Sequence, residues 1–343
     1  MRNKLIILII ILIFPLMGFS CRQQEPSDLG VYKSNDNGDT WEQKVVIDED
    51  NDISEVSINH VTVDTKDNNF ILIGTEELGI YRSTDGGDTW SATALNFGTI
   101  KSIAINPEDN AIIYAAGSFN AVGKIYKSTD AGNNWEEVFS ETSSDTPVNS
   151  IVIDWYDPRI LYSATTTGAL IKSKDSGRSW VAIKRFEDPV NKVVLSSTDS
   201  RIIFLFTKNE LYKSTDAGQN YINLSKNFED INFNSFHDIV VHPKFSNIIY
   251  ISADFGLYVS ENNGKKWKEI NLLAKPEGRI ISHIALDQIN PNILYFGFGS
   301  NLYISEDSGI NWSVKQFTTS SIGDIDSTAS EENIIYTGII SGN

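Results

Sequence analysis

Side chains able to do acid–base or ligand chemistry are sparse in this 343-residue sequence. There are four histidines, at positions 60, 237, 242 and 283, and one cysteine, Cys21. His60, Lys192, Asp238, His283 and Asp324 each stand directly before a β-branched apolar residue. Imidazoles and carboxylates brought together could bind a polar ligand, ligate a metal or share a proton near pH 6.5. Two carboxyls at a suitable separation could also hydrolyse a glycosidic bond. The residues lie far apart in sequence, so any such chemistry depends on what the fold brings together.

An octapeptide supplies the organising element. It reads SNDNGDTW at 34–41, STDGGDTW at 83–90, STDAGNNW at 128–135, SKDSGRSW at 173–180, STDAGQNY at 214–221, SENNGKKW at 260–267 and SEDSGINW at 305–312. Successive copies are 49, 45, 45, 41, 46 and 45 residues apart. A period near 45 residues signifies propeller blades, each a four-stranded antiparallel sheet. An aromatic- or basic-containing run ending in Ser (VYKS, IYRS, LYIS) precedes each octapeptide, with a buried-type run (FILIG, ILYFG) upstream and an alternating strand (SIAIN at 102–106) before that. These predict strands A to D in every unit.

The first octapeptide has only a strand C before it, whereas GDIDS (323–327) and NIIYTGII (333–340) follow the last as an A and a B without partners. The expected fold is therefore all-β, a seven-bladed propeller over residues 30–343, closed by pairing C-terminal strands with residues 30–48. Such closure removes the exposed sheet edge.

Ring closure places one strand-A start per blade around a channel: Asp324, His60, Ser102, Ser150, Lys192, Asp238 and His283. All are polar. Asp238, His283, Asp324 and His60 fall on four consecutive blades, with His237 adjoining and His242 one strand length below. A wet polar rim, a ligand-binding rim, and a metal or acid–base site are the readings open here. The longer top-face connections, 46–57, 116–123, 138–147, 225–236 and 272–281, are where recognition is expected, with Phe119, Phe139, Phe233 and Phe255 as exposed aromatics.

The octapeptides belong on the opposite face, as C–D hairpins. Asp36, Asp85, Asp130, Asp175, Asp216, Asn262 and Asp307 are expected to accept backbone N–H groups in Asx-type turns, and the following glycines to adopt the left-handed conformation. Asn262 suits a turn and would weaken a calcium ligand, so no metal is assigned. No cofactor is expected.

The repeat resembles the Asp-box (BNR-repeat) propellers, a group that includes sialidases, xyloglucan-active glycoside hydrolases, the sortilin ectodomain and photosystem II assembly factors. The resemblance implies architecture far more than activity. Sialidase chemistry would need three convergent arginines. Of Arg22, Arg82, Arg159, Arg178, Arg185, Arg201 and Arg279, only Arg279 and Arg185 are placed to approach the top face. The xyloglucan-active enzymes set their cleft between two propellers, and this chain provides one.

Met1-Arg2-Asn3-Lys4 followed by the apolar run Leu5–Phe19 reads as a signal peptide, too short for comfortable membrane crossing. Gly18-Phe19-Ser20-Cys21 resembles a bacterial lipobox, with Gly18 where that family usually has Leu. The resemblance implies cleavage after residue 20, acylation of Cys21 and a polar tether through residue 29, hence a lipid-anchored protein of the bacterial cell envelope. The formal charge of −17 disfavours nucleic acid as a partner. The sequence thus points to a monomeric, non-catalytic scaffold for a protein or glycan ligand, with a glycoside hydrolase as the alternative.

Overall fold

The computed structural model describes residues 27–228, 235–254, 256–273 and 280–342. Cys21, Arg22, Phe233, Phe255 and Arg279 lie outside the described residues. The strands form seven sheets of four antiparallel strands each. Blade 1 is Ile58–Val63, Ile71–Thr75, Ile80–Ser83 and Ser91–Ala92, strands A to D. Blades 2 to 6 follow in chain order. Blade 7 is composite: A is Ser321–Ser327, B is Ile335–Ile340, C is Gly30–Ser34 and D is Glu42–Lys44. Gly30 pairs with Ile339 and Ser34 with Ile335, so the N-terminal strand completes the last sheet.

Strand B is mostly apolar because both of its faces are covered; all five residues of Ile71–Thr75 are buried. The core is correspondingly divided between neighbouring blades. Val31 and Tyr336 of blade 7, for example, cluster with Ile58, Val61, Ile73 and Trp90 of blade 1. Close blade approach also explains Gly338, where a Cβ would fall 2.5 Å from Ile58 Cγ2.

The C–D turns follow one pattern. In blade 1 the Asp85 carboxylate accepts the Thr89 N–H at 2.9 Å and hydroxyl at 2.6 Å. The Ser83 hydroxyl donates to Asp85 at 2.7 Å and accepts the buried Gly87 N–H at 2.8 Å. Two successive residues are left-handed, Gly86 and Gly87 here and Ala131 and Gly132 in blade 2. Asn262 takes the aspartate's place in blade 5, accepting the Lys266 N–H at 2.8 Å. The tryptophans also reach the preceding blade: Trp41 stacks on Phe317 at 4.4 Å, and Trp90 Nε1 donates to Lys44 O at 2.9 Å.

The basic residue preceding the turn serine ties consecutive blades. Lys33 donates to Gly86 O, Arg82 to Ala131 O, Lys127 to Ser176 O and Lys172 to Ala217 O. Each bond crosses to the turn of the next blade.

Two of the expected recognition loops are strand. Residues 116–123 belong to a tight hairpin between Ile113–Phe119 and Val122–Ser128, closed by Asn120 and Ala121 in left-handed conformation. Most of 138–147 extends strand D of that blade, Glu136–Ser144. Phe119 is consequently fully buried, edge-on to Tyr126 at 4.7 Å, rather than offered to a ligand. Phe139 is half-buried against Trp180.

Candidate functional site

Each strand A carries a register shift immediately before its site residue: between Ile58 and His60, Ile100 and Ser102, Val148 and Ser150, Val190 and Lys192, Phe236 and Asp238, Ile281 and His283, and Ile322 and Asp324. An extra residue in one strand bends it and re-aims side chains. The result is two neighbouring residues at the channel mouth from each of six blades, and Asp324 alone from blade 7. All seven aligned positions line one cavity of about 190 Å³. Asn59, Lys101, Asn149, Asn191, His237 and Ser282 join them from the bulges. Alignment of strand starts finds the first ring; the second needs the bulge, whose only trace is a polar residue preceding six of the seven site positions, Gly323 being the exception.

The two aspartates bridge the blades as well as line the mouth. Asp238 accepts Ile239 N–H at 2.7 Å within its own strand and Ile284 N–H of the next blade at 3.0 Å. Asp324 accepts Ile325 N–H at 3.0 Å and Val61 N–H of blade 1 at 2.9 Å. Ser102 and Ser150 do the same with Ile151 and Val193. Each carboxylate also has side-chain partners: Lys192 Nζ lies 2.5 Å from Asp238, His60 Nδ1 lies 2.9 Å from Asp324, and His283 Nδ1 lies 3.4 Å from it.

Electrostatics follow from this pairing. Burial pulls the His60 imidazole down, but Asp324 beside it, helped by Asp326, outweighs that and raises it above its ordinary value. Burial likewise works against ionisation of Asp324, and the two imidazoles hold it well below the usual carboxylate range. Lys192 is pulled down by burial and raised overall, mainly by Asp238. One pleat deeper stands Asp326, where the other blades carry Thr62, Ala104, Val152, Val194, Val240 and Ala285. It accepts Val63 and Ser327 N–H groups, yet burial and then the charge of Asp324 push it up to about 7.

The remaining histidines have partners of their own, His237 at the mouth and His242 below it. His237 Nε2 lies 2.8 Å from Asp254. His242 Nδ1 accepts the N–H groups of Lys244 and Phe245 at 3.1 and 3.2 Å. It thereby does in its A–B turn what Asp64 and Asp287 do in theirs. Burial and the Lys244 charge lower its pKa, in keeping with a neutral acceptor ring. Among the described residues no group of three or more His, Cys, Asp or Glu is arranged to hold a metal ion. The described arginines do not converge: Arg159 and Arg201 pair with Asp157 and Asp199 in A–B turns, and Arg82 serves the interblade tie.

Comparison with solved structures finds the same fold at low identity. The GH74 xyloglucanase of Xanthomonas campestris superposes with a TM-score of 0.69 at 15% identity, over 83% of this chain and 51% of that one. This chain therefore spans about half the enzyme's length. YCF48 bound to D1 peptide gives 0.62 at 15% identity, over 83% and 93% of the two chains. YCF48 from Cyanidioschyzon merolae gives 0.62 at 13%, over 83% and 96%. Sequence comparison with curated proteins gives no match. The family described as sortilin, neurotensin receptor 3, matches over residues 30–144, 123–250 and 209–337, nearly the whole propeller. The chain belongs to the Sortilin-Vps10 family.

Proposed function

We propose that this protein is a lipoprotein of the bacterial cell envelope whose Asp-box propeller binds a protein or glycan, without catalysis, at the face where the channel opens. In this reading residues 1–20 are a leader, Cys21 carries the lipid, 22–29 form a tether and the remainder is a monomeric propeller. The observation that carries the non-catalytic reading is the commitment of both mouth carboxylates. Glycoside hydrolysis needs one carboxyl protonated as acid and another free as base or nucleophile. Asp238 and Asp324 are instead each held by two backbone N–H groups, Asp238 also by the Lys192 ammonium and Asp324 by the His60 imidazole. A volume of about 190 Å³ also falls below the roughly 300–1,000 Å³ of ordinary small-molecule pockets, which favours a surface contact inserting one or two groups. That a similar propeller, YCF48, is described bound to a peptide supports a protein ligand.

The enzyme alternative has one observation in its favour, a carboxyl at Asp326 that keeps its proton to about pH 7. General acids are tuned this way. Asp326 lies below the mouth, with no free carboxylate beside it among the described residues. Incubating the mature protein with xyloglucan and related β-glucans is expected to release no new reducing ends. Turnover lost in Asp326→Asn would establish the hydrolase instead.

A further inference from the structure

Both ends of the described chain leave from one face. Gly30 begins strand C of blade 7 opposite Ile339, at the end of the blade where strand A starts and the channel opens. Just upstream, Asp28 is clamped. Its carboxylate accepts the Thr318 hydroxyl at 3.0 Å, the Thr319 N–H at 2.5 Å and hydroxyl at 2.7 Å, and the Ser320 hydroxyl at 2.8 Å. These donors all belong to the link entering strand A of blade 7. Tyr32 OH donates to the Asp28 carbonyl at 3.3 Å, and Gln43 Nε2 donates to the carbonyls of Ser27 and Leu29 at 3.2 and 2.9 Å. Burial opposes ionisation of Asp28, yet the bonds from Thr319, Ser320 and Thr318 hold its carboxyl well below the usual range. Ring closure does not need this clamp, because the strand pairs of blade 7 already provide it. The clamp fixes where the upstream chain exits.

Seven residue steps lead from Cys21 to Asp28, and even fully extended they reach only about 25 Å. Strands of five or six residues make a blade about 17–20 Å tall before its turns are added. A bilayer against the opposite face would require nearly the whole tether to run down the blade's outer wall. Strand C is two places from strand A in the sheet, so the exit lies only about 10 Å from the channel wall. We propose that the Asp28 clamp makes the lipid anchor an orienting one: it turns the channel mouth toward the bilayer, so that the mouth's ligand is a polypeptide segment rising from the same membrane. A cavity this small takes side chains rather than a sugar chain, and the narrow gap disfavours a soluble polymer.

The inference rests on the lipoprotein reading, and the test separates the two. Acylated protein is reconstituted into phosphatidylethanolamine–phosphatidylglycerol vesicles carrying a headgroup acceptor dye. A donor dye is placed at Glu76→Cys, in the top B–C turn of blade 1, or at Glu108→Cys, in the bottom A–B turn of blade 2. With about 20 Å of strand between the labels, energy transfer is expected to be about twofold or more stronger from position 76. Asp28→Ala should narrow that difference while leaving vesicle co-sedimentation and the melting temperature close to wild type. Co-sedimentation with equal or reversed transfer overturns the orientation while leaving the lipoprotein reading in place, and an unchanged difference in Asp28→Ala overturns the clamp as its cause. Failure of the protein to acquire lipid and co-sediment overturns both readings.

Discussion

Removing the serine of a C–D turn should destabilise the propeller more than removing the aspartate for which such repeats are named. In blade 1 the Asp85 carboxylate is on the surface, and water can replace it at the Thr89 N–H and hydroxyl. The Ser83 hydroxyl is 1% exposed and accepts the Gly87 N–H within the core. Ser83→Ala leaves that donor buried and unpaired, a loss of about 1–3 kcal/mol. With an unfolding entropy of about 2 cal/mol/K per residue, a propeller of this size should melt about 2–4 °C lower. Calorimetry on Ser83→Ala, Asp85→Ala and Asp85→Asn in parallel checks the order. A larger drop for Asp85→Ala than for Ser83→Ala would refute the assignment of the turn's energy to the buried N–H.

Deleting residues 328–343 removes strand B of blade 7, which pairs with both Ser321–Ser327 and Gly30–Ser34; loss of a cooperative melt, with aggregation seen by light scattering, is expected. Above about pH 5, where lowered aspartates such as Asp28 and Asp324 already contribute in full, stability should fall as pH rises to about 8. Asp326 holds a proton in the folded state that the unfolded chain releases near 3.8, so its contribution fades as pH rises toward 7. The raised His60 likewise contributes fully below its unfolded value of 6.5 and loses that contribution as pH rises through its folded value. Melting temperatures across this range test the sign, and Asp326→Asn should flatten the lower half. Cys21→Ser should abolish acyl labelling and leave the precursor uncleaved or released from the membrane, as read by a carbonate wash.

The blade count, the closing pairing and the ring of seven site positions were legible because the octapeptide fixes spacing, and spacing fixes which strand ends meet. All seven aligned residues line one cavity for that reason. Periodicity carries no information on what a polar side chain does once there. It did not reveal that Asp238 and Asp324 take N–H groups from the neighbouring blade, nor that the bulges add Lys101 and Asn59 to the rim. His242, placed one strand length below the rim by its spacing, accepts N–H groups in the A–B turn there, a role spacing alone does not show. Phe119 looked like a loop aromatic because Asn120 and Ala121 give no glycine signal for the tight hairpin they form. The strand-C lysines were visible as a pattern, but their bonds to the next blade's turn depend on blade spacing.

The central claim, ligand capture at the channel mouth, is tested most directly by capture with the rim altered and the blade ties preserved. Asp238 and Asp324 should stay, since their loss would strip backbone donors between blades. A His60→Ala/Lys192→Ala/His283→Ala triple variant changes the groups that face the cavity, and a His60→Ala/His283→Ala double variant, which keeps Lys192 on Asp238, serves as a second version if the unpaired Asp238 carboxylate proves unstable. Affinity for whatever wild-type residues 22–343 retain from envelope extracts is then compared by surface binding. The account predicts a normal melt with at least a tenfold loss of affinity, about 1.4 kcal/mol. Wild-type affinity in a folded triple variant would contradict it and move the site away from the mouth.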